Sequence, residues 1–359
     1  MVLKPATGKA NINTTKSQTA GKGKKFALST RLSFLLAVIS FLIYANTLQN
    51  GYVLDDAAAI TKNNLVTSGI SAIPEILSTP YHLGYSTNPD NLYRPLSLAM
   101  FATEYQIFGS APAEGHFINI VAFVICVVLL FLFLDQLFDK KRTIIVFIAA
   151  LLFAIHPIHT EVVANIKSRV ELLCFLFGFL SLLGFVKYAE TGKRHLILSA
   201  TLYYFLSLLS KETSITFLAL IPLIFFFYKN DHKQRSLFIT SASVVSALVY
   251  LIIRSYVLKA NYAGPMHTEF IENILVNPPS ASSRLATEIL IMGKYLKLLF
   301  LPYPLLCDYA FSSIAFASFT DFGVWASLAI YLFLMFFGIF RLIKHKKDLL
   351  AFGILLYLR

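Results

Sequence analysis

Two adjacent carboxylates, Asp55 and Asp56, follow Gly51, Tyr52, Val53 and Leu54 at the end of an apolar run. Aromatic and aliphatic neighbours limit solvation there, which raises a carboxylate pKa towards that of a working base. Mutual repulsion also favours a division of labour, one acid holding a cation while the other accepts a proton. A turn or helix-cap pair explains the same two residues equally well. Farther on, Arg94 precedes Pro95, a residue suited to a first helical turn. A guanidinium at a helix start suits a phosphate, although a snorkelling anchor is the plainer alternative.

The densest polar stretch carries His156, His159 and Glu161, then Lys167, Arg169 and Glu171. Pro157 spoils the helical geometry a two-histidine zinc site needs, and the string is not the H-E-x-x-H signature. A polar pocket floor fits better, with imidazoles donating to hydroxyls or phosphate and Arg169 neutralising an anion. Lys211 and Glu212 repeat the basic-acidic pairing. Interfacial salt bridges, each worth little, are the bland alternative.

The scaffold for these groups is apolar. The 359 residues are 57% hydrophobic and 14% charged, with a mean hydropathy of +0.68. Soluble domains run nearer 45–50% apolar and about 25% charged, so an ordinary cytosolic enzyme is excluded and an all-α, polytopic membrane bundle expected. Of the net charge of +12, the seven Lys and Arg of residues 1–31 supply more than half. That argues against a nucleic-acid surface and for a disordered basic cytoplasmic tail over 1–31. Cys126, Cys174 and Cys307 are odd in number and imply no disulfide framework.

Spanning takes about 20 apolar helical residues. The expected spans are 32–49, 116–138, 143–156, 170–189, 195–209, 213–228, 236–257 and 323–340, within a membrane domain of 32–359. Basic clusters at 140–142, 187–194, 229–235 and 341–347 mark cytoplasmic connections. The N-terminus is then cytoplasmic, and the outer segments are 50–115, 157–169, 210–212 and 258–322. Arg284 to Leu301 places its charges on one half of a helical wheel and predicts an interfacial helix on the outer surface. The apolar end, 349–359, is too short to cross, which suggests truncation at the C-terminus.

This layout brings Asp55, Asp56, Arg94, His156, His159, Arg169, Glu171, Lys211 and Glu212 to one side of the membrane. A carboxylate base and phosphate-binding cations beside a lipid-facing bundle suit a transferase acting on a lipid-borne phosphate ester.

At this point the ordered strings resemble a known family. Leu54-Asp55-Asp56, Tyr93-Arg94-Pro95-Leu96, Phe153 to Glu161, Ser168-Arg169-Val170-Glu171 and Ser210-Lys211-Glu212-Thr213 are similar to the GT-C glycosyltransferases. Within them they resemble the transmembrane, tetratricopeptide-repeat-containing O-mannosyltransferases and their bacterial relatives. A weaker likeness continues through Asn277-Pro278, Lys294-Tyr295 and Asp308-Tyr309.

The resemblance implies inverting transfer of a mannose-like sugar from a polyprenyl- or dolichyl-phosphate donor to a Ser or Thr hydroxyl of a protein acceptor. The reaction would lie on the periplasmic or lumenal face. It implies Asp55 or Asp56 as catalytic base, with Asp55 preferred, and Arg94, Arg169 and Lys211 as donor-phosphate ligands. His156, His159, Glu161, Glu171 and Glu212 would line the substrate pocket. No protein-bound metal is assigned, and a divalent cation is the one cofactor left open. Between a bacterial inner membrane and an endoplasmic reticulum, the bacterial membrane is the expectation. The 34-residue repeats of the family are not found in this sequence, which leaves the acceptor open. A lipid or glycan acceptor, a transporter and a non-enzymatic scaffold are the competing readings.

Overall fold

The computed structural model describes residues 12–53, 55–86, 91–138, 140–228, 233–261, 274–306, 313–344 and 353, and among these no strand occurs. The principal helices are α1 (Ile12–Tyr44), α2 (Pro95–Phe108), α3 (Pro112–Leu137), α4 (Thr143–Ile155), α5 (Arg169–Thr191), α6 (Arg194–Ser210), α7 (Phe217–Tyr228), α8 (Lys233–Ala260), α9 (Ala281–Phe300) and α10 (Phe322–Lys344). Each expected span is therefore a helix. Helix α1 reaches back to Ile12, into the stretch whose composition suggested an unfolded tail.

Length separates these helices. Five stretches are long and apolar enough to cross a membrane: Ala27–Gln49, Pro112–Leu137, Ile166–Thr191, Lys233–Ala260 and Phe322–Lys344. The other three expected spans fall short. Helix α4 has 13 residues, α6 has 17 and α7 has 12. At 1.5 Å per residue these reach roughly 20, 25 and 18 Å against a hydrocarbon core of about 30 Å. A sixth crossing results only if α4 is joined to Pro157–Ala164 across a 50° bend. Pro157 accounts for the break, because it has no amide hydrogen to continue the helix.

The bundle packs as two linked bodies of side chains. One core joins α5, α6, α7 and α8 through Phe185, Tyr204, Ile221 and Tyr250; the other joins α1, α3 and α4 through Leu36, Phe131 and Ala150. Helices α5 and α6 form a tight hairpin. Gly192 ends α5 at φ +71°, with its N–H on Tyr188 O at 2.8 Å, the left-handed cap that glycine accepts without strain. A Cβ on Gly184 would stand 2.7 Å from that of Ala200, so the small residue lets the helices approach.

The loop between α1 and α2 is folded into short turns. Asn63 Oδ1 accepts the N–H groups of Leu65 and Val66 at 3.1 and 3.3 Å and caps the turn Asn64–Thr67. Ala59, Ile60, Ile76 and Tyr81 then pack with Leu98 and Phe101 of α2 and with Ile166 and Val170 below. Apolar burial thus fixes the loop that carries Asp55 and Asp56 to the start of α5.

Helix α9 has four charged residues, with Arg284 Nε 3.0 Å from Glu288 Oε1 on an exposed side. It is not among the helices apolar enough to cross. Its other side meets α10, where Gly293 abuts Ser327 and Thr287 Oγ1 accepts the N–H of Ala317 at 2.9 Å. Cys307, Asp308, Tyr309 and the segment 354–359 lie outside the described residues.

Candidate active site

Three alternating residues at the start of α5 tie distant segments together. Lys167, in the turn Ile166–Ser168, holds the first loop: its Nζ lies 2.5 Å from Asp55 Oδ2 and its backbone N–H donates to Asp56 Oδ1 at 2.7 Å. Arg169 reaches α2 and α3, donating from Nη1 to Glu104, from Nε to Asn119 Oδ1 at 2.7 Å and from Nη2 to Gly115 O at 2.9 Å. Glu171 accepts Lys211 Nζ from the turn after α6. Arg169 and Glu171, two apart on α5, leave the helix on opposite sides, and Lys167 points elsewhere from the turn before it.

The two aspartates have different environments. Asp56 is fully buried, and its second carboxylate oxygen accepts Val53 N–H at 2.9 Å. Burial is the largest influence and moves its pKa above the ordinary carboxylate value, against the opposing hydrogen bonds from Val53 and Lys167. The Asp55 side chain is 60% exposed. Geometry thus separates a buried acid that binds backbone from an open acid beside an ammonium group.

Arg94 precedes α2, and its guanidinium forks onto Glu212, with Nε to Oε2 at 2.9 Å and Nη2 to Oε1 at 2.6 Å. Tyr81 lies beneath it, 5.9 Å from the guanidinium carbon to the ring centre. Burial opposes charge on both partners, yet the bidentate pair prevails: Glu212 titrates below the usual glutamate range and Arg94 above its own usual value. Glu171 contributes to the same field at Arg94.

The expected site residues thus pair in three sets: Asp55 and Asp56 on Lys167, Glu171 on Lys211, and Glu212 on Arg94. Arg169 differs from the expectation of an open phosphate ligand. It is fully buried, its Nε, Nη1 and Nη2 each have a protein acceptor, and its guanidinium carbon lies 4.7 Å from the ring centre of Phe101. It holds the site together from beneath.

The histidine segment is less polar than expected. His159 packs 4.2 Å from the Phe153 ring centre and 5.8 Å from that of Phe123. His156 Nδ1 accepts Ile158 N–H at 3.2 Å, which leaves Nε2 as the protonated nitrogen that donates to Leu299 O at 3.1 Å. His156 thereby joins this connection to the end of α9. Glu161 is exposed and accepts Ser168 Oγ at 3.4 Å. Among the described residues no group of three or more His, Cys, Asp or Glu is arranged to hold a metal ion.

Sequence reasoning missed the partners inside the bundle. Asn119 also donates to Asn165 O at 2.9 Å, and buried His116 stands 3.4 Å from Gly51 O. Their signal is a pair of polar residues three apart just before the long apolar run of α3. A cavity of about 20 Å³ beside Tyr52, Glu104 and Gly115 has room for one water and not for a sugar.

Comparison with known proteins places this geometry. Residues 87–259 match the family described as dolichyl-phosphate-mannose-protein mannosyltransferase. That segment contains Arg94, Arg169, Glu171, Lys211 and Glu212, while Asp55 and Asp56 precede it. The protein O-mannosyl-transferase F38B6.6 of Caenorhabditis elegans is 31% identical over 53% of this chain and 27% of its own length. Tmtc2 of Drosophila melanogaster is 30% identical over 77% of this chain and 30% of its own. TMTC3 of Mus musculus is 26% identical over 89% and 37%. Both are likewise named protein O-mannosyl-transferases. The chain thus spans between 27 and 37% of the length of these relatives. No solved structure matches it. The chain is thus similar in sequence to protein O-mannosyl-transferases, on an all-helical polytopic membrane scaffold.

Proposed function

We propose that the chain catalyses inverting transfer of a mannose-like sugar from a polyprenyl-phosphate donor to a Ser or Thr hydroxyl of protein on the periplasmic or lumenal side. The observation that carries the reading is the open carboxylate of Asp55, held by Lys167 in the turn before α5; the first turn of the same helix carries Glu171, which accepts Lys211, and Glu171 in turn contributes to the field at Arg94. The names of the relatives support the sugar and the protein acceptor.

In this reading Asp55 takes the hydroxyl proton as the acceptor oxygen attacks the anomeric carbon. The bond from that carbon to the phosphate oxygen breaks, and the polyprenyl phosphate departs as an anion on the opposite face of the sugar. Lys211 keeps N–H groups beyond the one facing Glu171, and Arg94 keeps Nη1 beyond the fork onto Glu212. These donors stabilise the developing phosphate charge while the ion pairs fix their positions. Asp56 and Arg169 are positioning residues, one tying the loop to the turn before α5 and the other locking α2, α3 and α5 together.

Membrane placement follows the same reading. Residues from 32 onward form the membrane domain, the cluster faces outward, and α9 lies on the outer surface beside it through the His156 contact to Leu299.

The test uses the purified full chain in lipid nanodiscs with polyprenyl-phosphate mannose and Ser/Thr-rich peptides. Labelled peptide that disappears in Asp55→Asn supports the reading. Transfer to a glycolipid alone would move the acceptor to the lipid class, and full activity in Asp55→Asn would remove the proposed base.

A further inference from the structure

The opposite end of the bundle holds a second feature that the transfer reaction does not use. Helix α6 runs from Arg194 to Ser210, next to Lys211 of the candidate active site. Its 17 residues put about 25 Å between its two ends. Where α6 and α8 begin, a cleft of about 500 Å³ opens, lined by Tyr188, Arg194, Leu198, Gln234, Arg235 and Phe238. Its chemistry is divided. Arg194 and Arg235 stand on the polar rim, whereas Leu198 and Phe238 are 71% and 55% exposed and continue the apolar outer face of the helices. Tyr188 and Phe238 form the wall between, their ring centres 6.3 Å apart.

The two arginines lack acidic partners among the described residues. Arg235 donates from Nη1 to Ala189 O at 2.7 Å, near the end of α5, which fixes the guanidinium against Gly192 and leaves its charge uncompensated. The neighbouring carboxylate, Glu190, accepts Gln136 Nε2 at 3.2 Å on α3. A cationic rim above an exposed apolar slot matches a molecule with an anionic head and a hydrocarbon tail. The cleft is separated from Lys211 by the whole length of α6, about 25 Å.

We propose that the cleft between the starts of α6 and α8 binds one anionic phospholipid, its phosphate between Arg194 and Arg235 and an acyl chain along Leu198 and Phe238. The lipid clamps α8 to the α5–α6 hairpin at the face remote from the sugar chemistry.

Native mass spectrometry of the full chain from nanodiscs of phosphatidylcholine with phosphatidylglycerol tests this. One phosphatidylglycerol should remain bound in preference to phosphatidylcholine. Arg194→Gln should weaken its retention about fivefold, corresponding to about 1 kcal/mol per basic residue at an anionic surface. Leu198→Trp, which fills the slot and keeps both charges, should expel the lipid as well. The pair Lys141→Gln and Arg142→Gln, at the α3–α4 connection, should leave it bound. Equal loss in that pair would reduce the effect to general surface charge and overturn the proposal. Displacement by excess inorganic phosphate, or retention unchanged in both cleft variants, would overturn it too.

Discussion

Lys167 donates to Asp55 through its ammonium group at 2.5 Å and to Asp56 through its backbone N–H at 2.7 Å. One residue before α5 therefore positions both acids of the loop between α1 and α2, by contacts of different kinds. The side-chain contact places a positive charge on an exposed carboxylate, and the backbone contact pins a buried one. The proposed roles divide along the same line.

Substitution should separate the two roles. Asp55→Asn keeps an oxygen for Lys167 and removes the proton acceptor, so transfer should fall about 10²–10⁴-fold, the usual worth of a general base, with thermal stability unchanged. Asp56→Asn has one acceptor oxygen for two backbone N–H groups and strands one of them, at about 1–3 kcal/mol. Its unfolding midpoint should drop along with activity. A stable, inactive Asp56→Asn beside an active Asp55→Asn would reverse the assignment.

Burial of Arg169 gives a second test. Arg169→Met leaves Glu104 unpaired beneath the site and should cost about 3–5 kcal/mol, read as loss of folded protein in detergent. Combining it with Glu104→Gln removes the stranded charge and should restore most of the folded yield with the donor KM unchanged. A folded double variant whose donor KM rises tenfold or more, about 1.4 kcal/mol, would return Arg169 to direct phosphate contact; an unchanged KM supports the positioning role.

Much of this was legible in the chain and some was not, for physical reasons. Asp55, Arg94, Glu171, Lys211 and Glu212 could be picked out as candidates because charge avoids hydrocarbon and gathers at helix ends. Their pairing could not. Whether Arg169 faces a ligand or Glu104 depends on how α2 lies over α5, which no local spacing encodes. The lengths of α4, α6 and α7 were not legible, because an apolar run does not show where its helix will end. Asp55 and Asp56 are chemically identical as sequence, and only the backbone N–H groups of Val53 and Lys167 distinguish them.

The Arg94–Glu212 fork predicts a pH dependence. Glu212 titrates below its ordinary value of 4.5, so the pair's contribution is present above that value and is lost as pH falls through the depressed folded pKa. The midpoint difference between the native chain and Glu212→Gln should be constant from neutral pH to about pH 5 and shrink below 4.5. Arg94→Lys, which keeps the charge and loses the fork, should cost about 1–2 kcal/mol at neutral pH. A difference that grows on acidification would contradict the pairing.

The placement of the two ends of α6 is open to a direct chemical test. Lys193 precedes α6 and is exposed, and Thr213 follows it in the turn Glu212–Thr216. Single cysteines at these positions, in a chain with Cys307 replaced, should react with a membrane-impermeant maleimide from opposite sides of sealed vesicles. The native Cys126 and Cys174 are buried and should stay silent. Helix α6 is shorter than the hydrocarbon core, so it can span only if the bundle shields its ends or the bilayer thins around it. Labelling of both positions from one side would make α5 and α6 a re-entrant hairpin. It would also set the lipid cleft and the acid cluster on the same face.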